Sequence, residues 1–216
     1  MLFYIGILLW FIAGNIFLKS APDSLDTPPV SVIIAIRNGA DTLLHLLAGL
    51  SSQDYSGDME FIIVDDESED LTKKIIQGKS SVDKRFKYES STNGDHALGH
   101  KKRALDAGIK RADHEWLLFT DADCFQQSSW VRGMVSHFNQ DVDYVVGYSE
   151  VERGTRLVTR FQSFDFLMLM IAARGTTNSG KAWASSGQNQ AYRKSLFEMV
   201  EGYSQISNKL QGDDSL

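Results

Sequence analysis

Short apolar runs that stop at polar clusters recur along this chain, separated by amphipathic stretches. The first, VSVIIAI (Val30–Ile36), is β-branched and too continuous for a strand with one wet face, so it predicts a strand buried on both sides. Leucines at 43, 44, 46, 47 and 50 then make a helical stripe, behind Asn38 and Asp41 as cap candidates. The pattern repeats. MEFIIV runs to Val64 and meets Asp65-Asp66-Glu67-Ser68, and the helix-like LTKKIIQG follows. RFKYES is a weaker third strand, and HKKRALDAGIKRA reads as a helix with Ala104, Leu105, Ala107 and Ile109 inside. EWLLFT gives a fourth strand, SSWVRGMVSHF a helix and DYVVGYSEV a further strand. Such alternation predicts an α/β domain with a mostly parallel sheet. After Arg156, LVTRFQSFDFLMLMIAA is helical and rich in Phe, Leu and Met; it suits a core or a membrane face, and core is the default reading.

The start of the chain follows another pattern. Leu2 to Leu18 carries no charge, and Asn15 is its only strongly polar side chain. Its length sits at the lower edge of what spans a bilayer, about 17 to 25 residues, and predicts a transmembrane anchor helix over 1–18. A cleaved signal peptide fits less well, because no basic stretch precedes it and no small-x-small site follows. Lys19 follows directly and no Lys or Arg precedes it, which puts the downstream domain on the cytoplasmic side of a membrane. Residues 19–29 hold all the prolines and read as a linker; 30–216 then form the main domain.

Composition narrows the chemistry. With 216 residues, 43% of them hydrophobic, the chain can bury a substantial core. A net charge of -6 argues against a nucleic-acid partner, whose backbone requires an excess of Lys and Arg. Cys124 is the only cysteine, so an intrachain disulfide is excluded and a cysteine-built zinc site disfavoured. His96 and His100 have a helical ligand spacing but no third ligand of the right kind beside them.

In open α/β sheets, ligands bind beyond the carboxyl ends of the strands. Arg37-Asn38, the acidic turn at Asp65-Asp66 and the pair Asp121-Ala122-Asp123 all fall at that edge. Asp141-Val142-Asp143 has the same spacing but precedes its strand, so position separates a candidate site from a solvated turn. Two carboxylates in a crevice attract a hard cation, Mg²⁺ or Mn²⁺, that keeps coordination sites open for phosphate oxygens. The acidic turn would meet the hydroxyls or base of a nucleoside. A nucleoside-diphosphate user follows from that combination.

VSVIIAIRN, FIIVDDESED, GHKKRALDAGI, LLFTDADC and SGQNQAYRKSLFEMVEGY, in this order and spacing, resemble the family 2 glycosyltransferases of GT-A fold, whose Rossmann-like sheet is flanked by helices. The resemblance runs from about residue 28 to the end. It implies transfer of a sugar, with inversion, from a UDP- or GDP-linked donor. By position, Ala35, Arg37 and Asn38 would line the nucleotide pocket, and Asp66 with Asp65 would hold base or ribose. Lys101 and Lys102 would lie near the donor phosphates, or else form a solvated basic face. Asp123 would contact the bridging metal, with Asp121 beside it or nearer the donor sugar. Gln188 and Asn189 would face donor sugar or acceptor, or belong to a structural turn. In QGDDSL, Asp214 matches the general base, with Asp213 as the alternative; a sugar hydroxyl is a poor nucleophile and needs a carboxylate to take its proton.

The chain departs from the family's pattern at Gly39, where a Glu is usual. Relatives also continue past this point with a helix, often bearing Gln/Arg-x-x-Arg-Trp, and then membrane helices, so the domain is expected to be C-terminally incomplete. The acceptor would be a lipid, a polysaccharide or a carotenoid-like molecule. A non-catalytic nucleotide-sugar binding remnant is the alternative from another class. A dinucleotide oxidoreductase fails because no G-x-G-x-x-G follows the first strand.

Overall fold

The computed structural model describes residues 2–16, 26–151, 155–181 and 185–207. These residues form two compact units, one from 26–147 and 187–207, the other from the remainder.

The first unit is built on a six-stranded sheet of order β3-β2-β1-β4-β6-β5. Its strands are β1 (Val30–Ile36), β2 (Met59–Asp65), β3 (Phe86–Ser90), β4 (Trp116–Phe119), β5 (Tyr144–Val146) and β6 (Gln190–Arg193). β1 pairs in parallel with β2 and β4, and β2 with β3; β6 runs antiparallel between β4 and β5. Alternation along β1 explains its unbroken apolar run. Val30, Val32, Ile34 and Ile36 pack on one side with the leucines of α2 (Ala40–Ser51), while Ile33 packs on the other with α4 (His100–Arg111). Gly108 lets α4 approach closely, since a Cβ there would lie 2.5 Å from Ile33 Cγ2. Among the described residues, α3 (Thr72–Val82), α5 (Trp130–Val135) and α7 (Lys194–Met199) complete this unit's α-helices.

Every strand and helix expected between 30 and 146 forms. The last expected strand is shorter than DYVVGYSEV suggests, for pairing stops at Val146. β6 closes the sheet with an aromatic stack: Tyr192 lies 4.6 Å from Phe119 and 6.0 Å from Phe197, centroid to centroid.

The amino edge holds a polar knot. Ser31 donates to Glu60 Oε1 at 2.5 Å, the backbone N–H of Asp113 donates to the same oxygen at 2.8 Å, and Lys87 ion-pairs with Glu60 and Asp113. Burial pushes the Glu60 carboxyl up, but Lys87, Ser31 and Asp113 together outweigh it and hold it below its ordinary value.

The second unit contains α1 (Leu2–Ile16) and α6 (Leu157–Asn178). Among the described residues, no helix is long and apolar enough to cross a membrane. The 15 residues of α1 rise only about 22 Å, against about 30 Å of hydrocarbon. Among the described residues, the transmembrane anchor expected over 1–18 is therefore not found: Leu2–Ile16 of that segment forms a helix, and the described part is shorter than a span requires. Residues 17–25 of the segment and linker lie outside the described residues.

Candidate active site

The chain runs from β1 through β2 to β3 on one side, then returns to β4 on the other side of β1. That reversal opens a crevice at the carboxyl ends of β1 and β4, the switch point where open α/β sheets bind ligands. Parallel pairing puts Arg37-Asn38, Asp65-Asp66 and Asp121-Asp123 on this edge. Asp141 and Asp143 precede β5 instead, and Asp143 is held in an ion pair with Arg193 at 2.9 Å.

Three of the four non-glycine residues described with positive φ lie here: Asn38 (φ 49), Glu67 (φ 55) and His100 (φ 54). Such strain persists where surrounding bonds over-determine it. For Asn38 they are explicit. Its N–H donates to Ser68 Oγ at 2.9 Å, and its Oδ1 accepts from Glu69 N–H at 2.8 Å. Next to it, Gly39 N–H donates to Thr72 Oγ1 (2.9 Å) and Ala40 N–H to Asp70 Oδ2 (3.1 Å). The β1–α2 turn is thus stapled to the β2–α3 turn, and the first N–H groups of α2 already have partners. Asn38 is the staple itself, whereas Arg37 beside it is exposed and Ala35 half-buried.

Asp65 is 4% exposed and satisfied from within. It accepts from Ser68 N–H at 3.2 Å, and its charge is the second cause, after burial, that raises the Tyr88 hydroxyl pKa. Arg103 of α4 reaches across to Glu67 and Ser91, and lies 3.5 Å from Asp66 Oδ1. Its hydrogen bond to Glu67 leads the rise in its own pKa.

α4 begins without a side-chain cap and carries Lys101, Lys102 and Arg103 in its first turn, the end where the helix dipole disfavours cations. Each has a separate use. Lys101 Nζ donates to Asp121 Oδ1 at 2.6 Å, so the cation that meets this carboxylate is a lysine. Lys102 is 4% exposed, turns away from the edge and donates to Ile206 O at 2.6 Å. The sequence pairs the two lysines; the helix separates them.

Thr120 is buried, Asp121 half-buried and Asp123 exposed, so the pair opens to solvent at the end of a buried strand. The loop is held from below. Gln126 donates to Thr120 Oγ1 at 2.6 Å; Gln53 donates to Gln127 O and accepts from Val131 N–H, both at 2.9 Å. These glutamines have no sequence signature, because only their burial marks them. Cys124 is half-buried, and burial first, then the Asp121 charge, raises its thiol pKa, which suits packing rather than nucleophilic chemistry.

One step past the β4–β6 register, Asn189 flanks Thr120. Trp130 Nε1 donates to its Oδ1 at 3.0 Å, Gly147 N–H donates to its carbonyl at 2.8 Å, and a Cβ at Gly147 would lie 2.3 Å from Oδ1. Asn189 is clamped; Gln188 beside it is only half-buried. Asp213 and Asp214 lie outside the described residues.

Among the described residues, no group of three His, Cys, Asp or Glu side chains gathers to hold a metal. Asp121 and Asp123 offer oxygen ligands of the kind a hard divalent cation takes, and the remaining sites would fall to ligand oxygens or water.

Comparison with known proteins accords with this geometry. Residues 31–200 match the family model described as glycosyl transferase family 2. The glycosyltransferase AglE of Haloferax volcanii is 31% identical over 143 residues, 63% of this chain and 45% of that protein. The poly-beta-1,6-N-acetyl-D-glucosamine synthase of Staphylococcus epidermidis is 26% identical over 220 residues, 94% of this chain and 52% of that protein. The mannosyltransferase PcManGT of Pyrobaculum calidifontis, solved with GDP-Man and Mn²⁺, superposes with a TM-score of 0.69 at 22% identity, covering 92% of this chain and 55% of that one. The chain thus spans about half the length of these relatives. With the crevice, its paired aspartates and most of the sheet inside the matched region, the chain belongs to glycosyl transferase family 2.

Proposed function

We propose that this chain carries a catalytic domain of an inverting glycosyltransferase that moves a sugar from a nucleoside-diphosphate sugar to an acceptor hydroxyl. The observation that carries the reading is the meeting of Lys101 and Asp121 at the switch point, with exposed Asp123 beside them. The first N–H groups of α2 are bonded to Thr72 and Asp70, whereas α4 begins without a side-chain cap beside three cations. An anion at this edge therefore goes to the head of α4, with Lys101 and Arg103 as its charged partners. Asp66 and Arg37 line the side of β1 and β2, where ribose and base would lie.

Asp121 and Asp123 would hold Mg²⁺ or Mn²⁺, which when bound offsets charge growing on the leaving diphosphate. The acceptor oxygen attacks the anomeric carbon as its bond to the diphosphate oxygen breaks, and the hydroxyl proton passes to Asp214, or to Asp213. In-line displacement places base and leaving group on opposite faces and inverts the centre. Lys101 orients Asp121, and Trp130 with Gly147 fixes Asn189 against the same loop. A polysaccharide or lipid-linked acceptor fits best, the former because a matching relative is named as a polysaccharide synthase.

Calorimetry of UDP and GDP, with and without Mn²⁺, tests the donor site in the wild type and in Asp123→Asn. The expected result is metal-dependent binding of one nucleotide, weakened at least about tenfold in the variant, the worth of one charge-assisted contact. Binding of neither nucleotide refutes the reading. Binding without transfer or slow donor hydrolysis points to a donor-binding module instead.

A further inference from the structure

The second unit is apolar on the outside and polar within. α1 and α6 meet at glycines: a Cβ on Gly14 would lie 2.0 Å from Gly175 O, and one on Gly175 would lie 2.7 Å from Phe11 O. Their amides are also spent on this contact. Asn15 Nδ2 donates to Ile171 O and Asn178 Nδ2 to Gly14 O, each at 2.9 Å. The bulky residues point away. Leu157, Phe161, Phe164, Met168 and Ile171 follow one another at helical spacing along α6, with Leu157 82% and Phe161 69% exposed; on α1, Leu9 is 60% and Ile16 67% exposed. A helix pair in water buries its Leu and Phe and turns its amides outward. Helices packed through small residues and amides, with aliphatic and aromatic side chains outside, are arranged for lipid.

Charge selects the kind of lipid surface. Arg156, Arg160, Arg174 and Lys181 are all exposed on or beside α6, against Glu150 and Asp165 among the described residues of this unit, in a chain of net charge -6. Arg160, Asp165 and Arg174 lie within α6, which suits a helix lying along a membrane surface rather than through it.

We propose that the α1–α6 pair is a docking surface for an anionic bilayer, entering the headgroup boundary with its apolar face while its arginines meet lipid phosphates. This is a binding site additional to the transferase crevice and does not depend on it.

Flotation of the purified full chain tests it, with vesicles of phosphatidylcholine alone or with about a third phosphatidylglycerol. The wild type should float with the anionic vesicles, and less so as salt is raised. Leu9→Asp with Phe161→Asp should reduce partitioning at least about tenfold, from the apolar area withdrawn. Arg156→Glu and Arg174→Glu change exposed side chains outside the helix contact, so loss of folding does not confound them. Each should weaken binding to anionic vesicles about fivefold or more and leave neutral vesicles unaffected. A wild type that stays behind with both vesicle types overturns the proposal. So does a dimer, dispersed by Leu9→Asp and Phe161→Asp, that ignores vesicles, which would make a second copy of the chain the occupant.

Discussion

Lys87→Met examines how the amino edge of the sheet holds its charge. Glu60 has a side chain 6% exposed and Lys87 one 22% exposed, and the two ion-pair beneath the turn that enters β4. Methionine keeps most of the apolar stem but leaves the carboxylate with only Ser31 Oγ and Asp113 N–H as donors. Removing one partner of a fully buried pair costs about 3–5 kcal/mol; with two donors remaining and Lys87 partly wet, about 2–3 kcal/mol is expected at neutral pH. The pH dependence separates this account from simple loss of packing. In the wild type the folded pKa of Glu60 lies below 4.5, so its contribution is complete above 4.5 and is lost as pH falls through the lowered folded value. Lys87, raised above 10.5, contributes fully at neutral pH and loses that contribution only as pH rises through its folded value. In the variant, burial is no longer opposed by the lysine and Glu60 moves upward, so acid relieves the variant by protonating it. Urea unfolding followed by tryptophan fluorescence should show a deficit that shrinks by about half or more between neutral pH and about pH 4. A loss below about 0.5 kcal/mol, or one equal at both pH values, refutes the reasoning.

The two lysines of α4 should behave oppositely. Lys101→Met is expected to cost under about 1 kcal/mol of stability, as an exposed pair does, yet to weaken nucleotide-sugar binding at least tenfold by calorimetry. Lys102→Met should lower the melting temperature, removing a charged hydrogen bond worth about 1.5–3 kcal/mol, while leaving the donor Kd within about threefold. Gly147→Ala forces Asn189 aside and should destabilise by about 1–3 kcal/mol in denaturant titrations, an overpacking cost. Asn38→Ala loses the Glu69 bond and places alanine at φ 49; thermal melts should show it about 1–2 kcal/mol less stable, with Asn38→Gly milder because glycine tolerates that φ.

The crevice was legible because parallel strands convert sequence position into spatial edge. Once strands of this type are recognised, whatever follows their last apolar residue must lie together, which is why 121 and 123 separate from 141 and 143 despite identical spacing. The meeting of Lys101 with Asp121 was not legible: the sequence set both lysines of the pair near the donor phosphates or on a solvated face, and adjacent residues on a helix differ by about 100° in direction, so only packing tells which one turns to the carboxylate and which turns away.

Local pattern by itself determined the buried strands, the helices between them and the acidic carboxyl edge, since burial on both faces or one face writes a period into the chain. The tertiary structure decided the rest. β6 enters antiparallel between β4 and β5, and a four-residue strand leaves too short a period to reveal its neighbours. Asn38 serves as a staple and Gln53 as a support because partners far along the chain accept or donate their hydrogen bonds. The apolar start is a helix of 15 residues that packs through Gly14 and Asn15. Hydropathy measures how apolar a segment is; which face meets another helix depends on contacts between residues more than 150 positions apart.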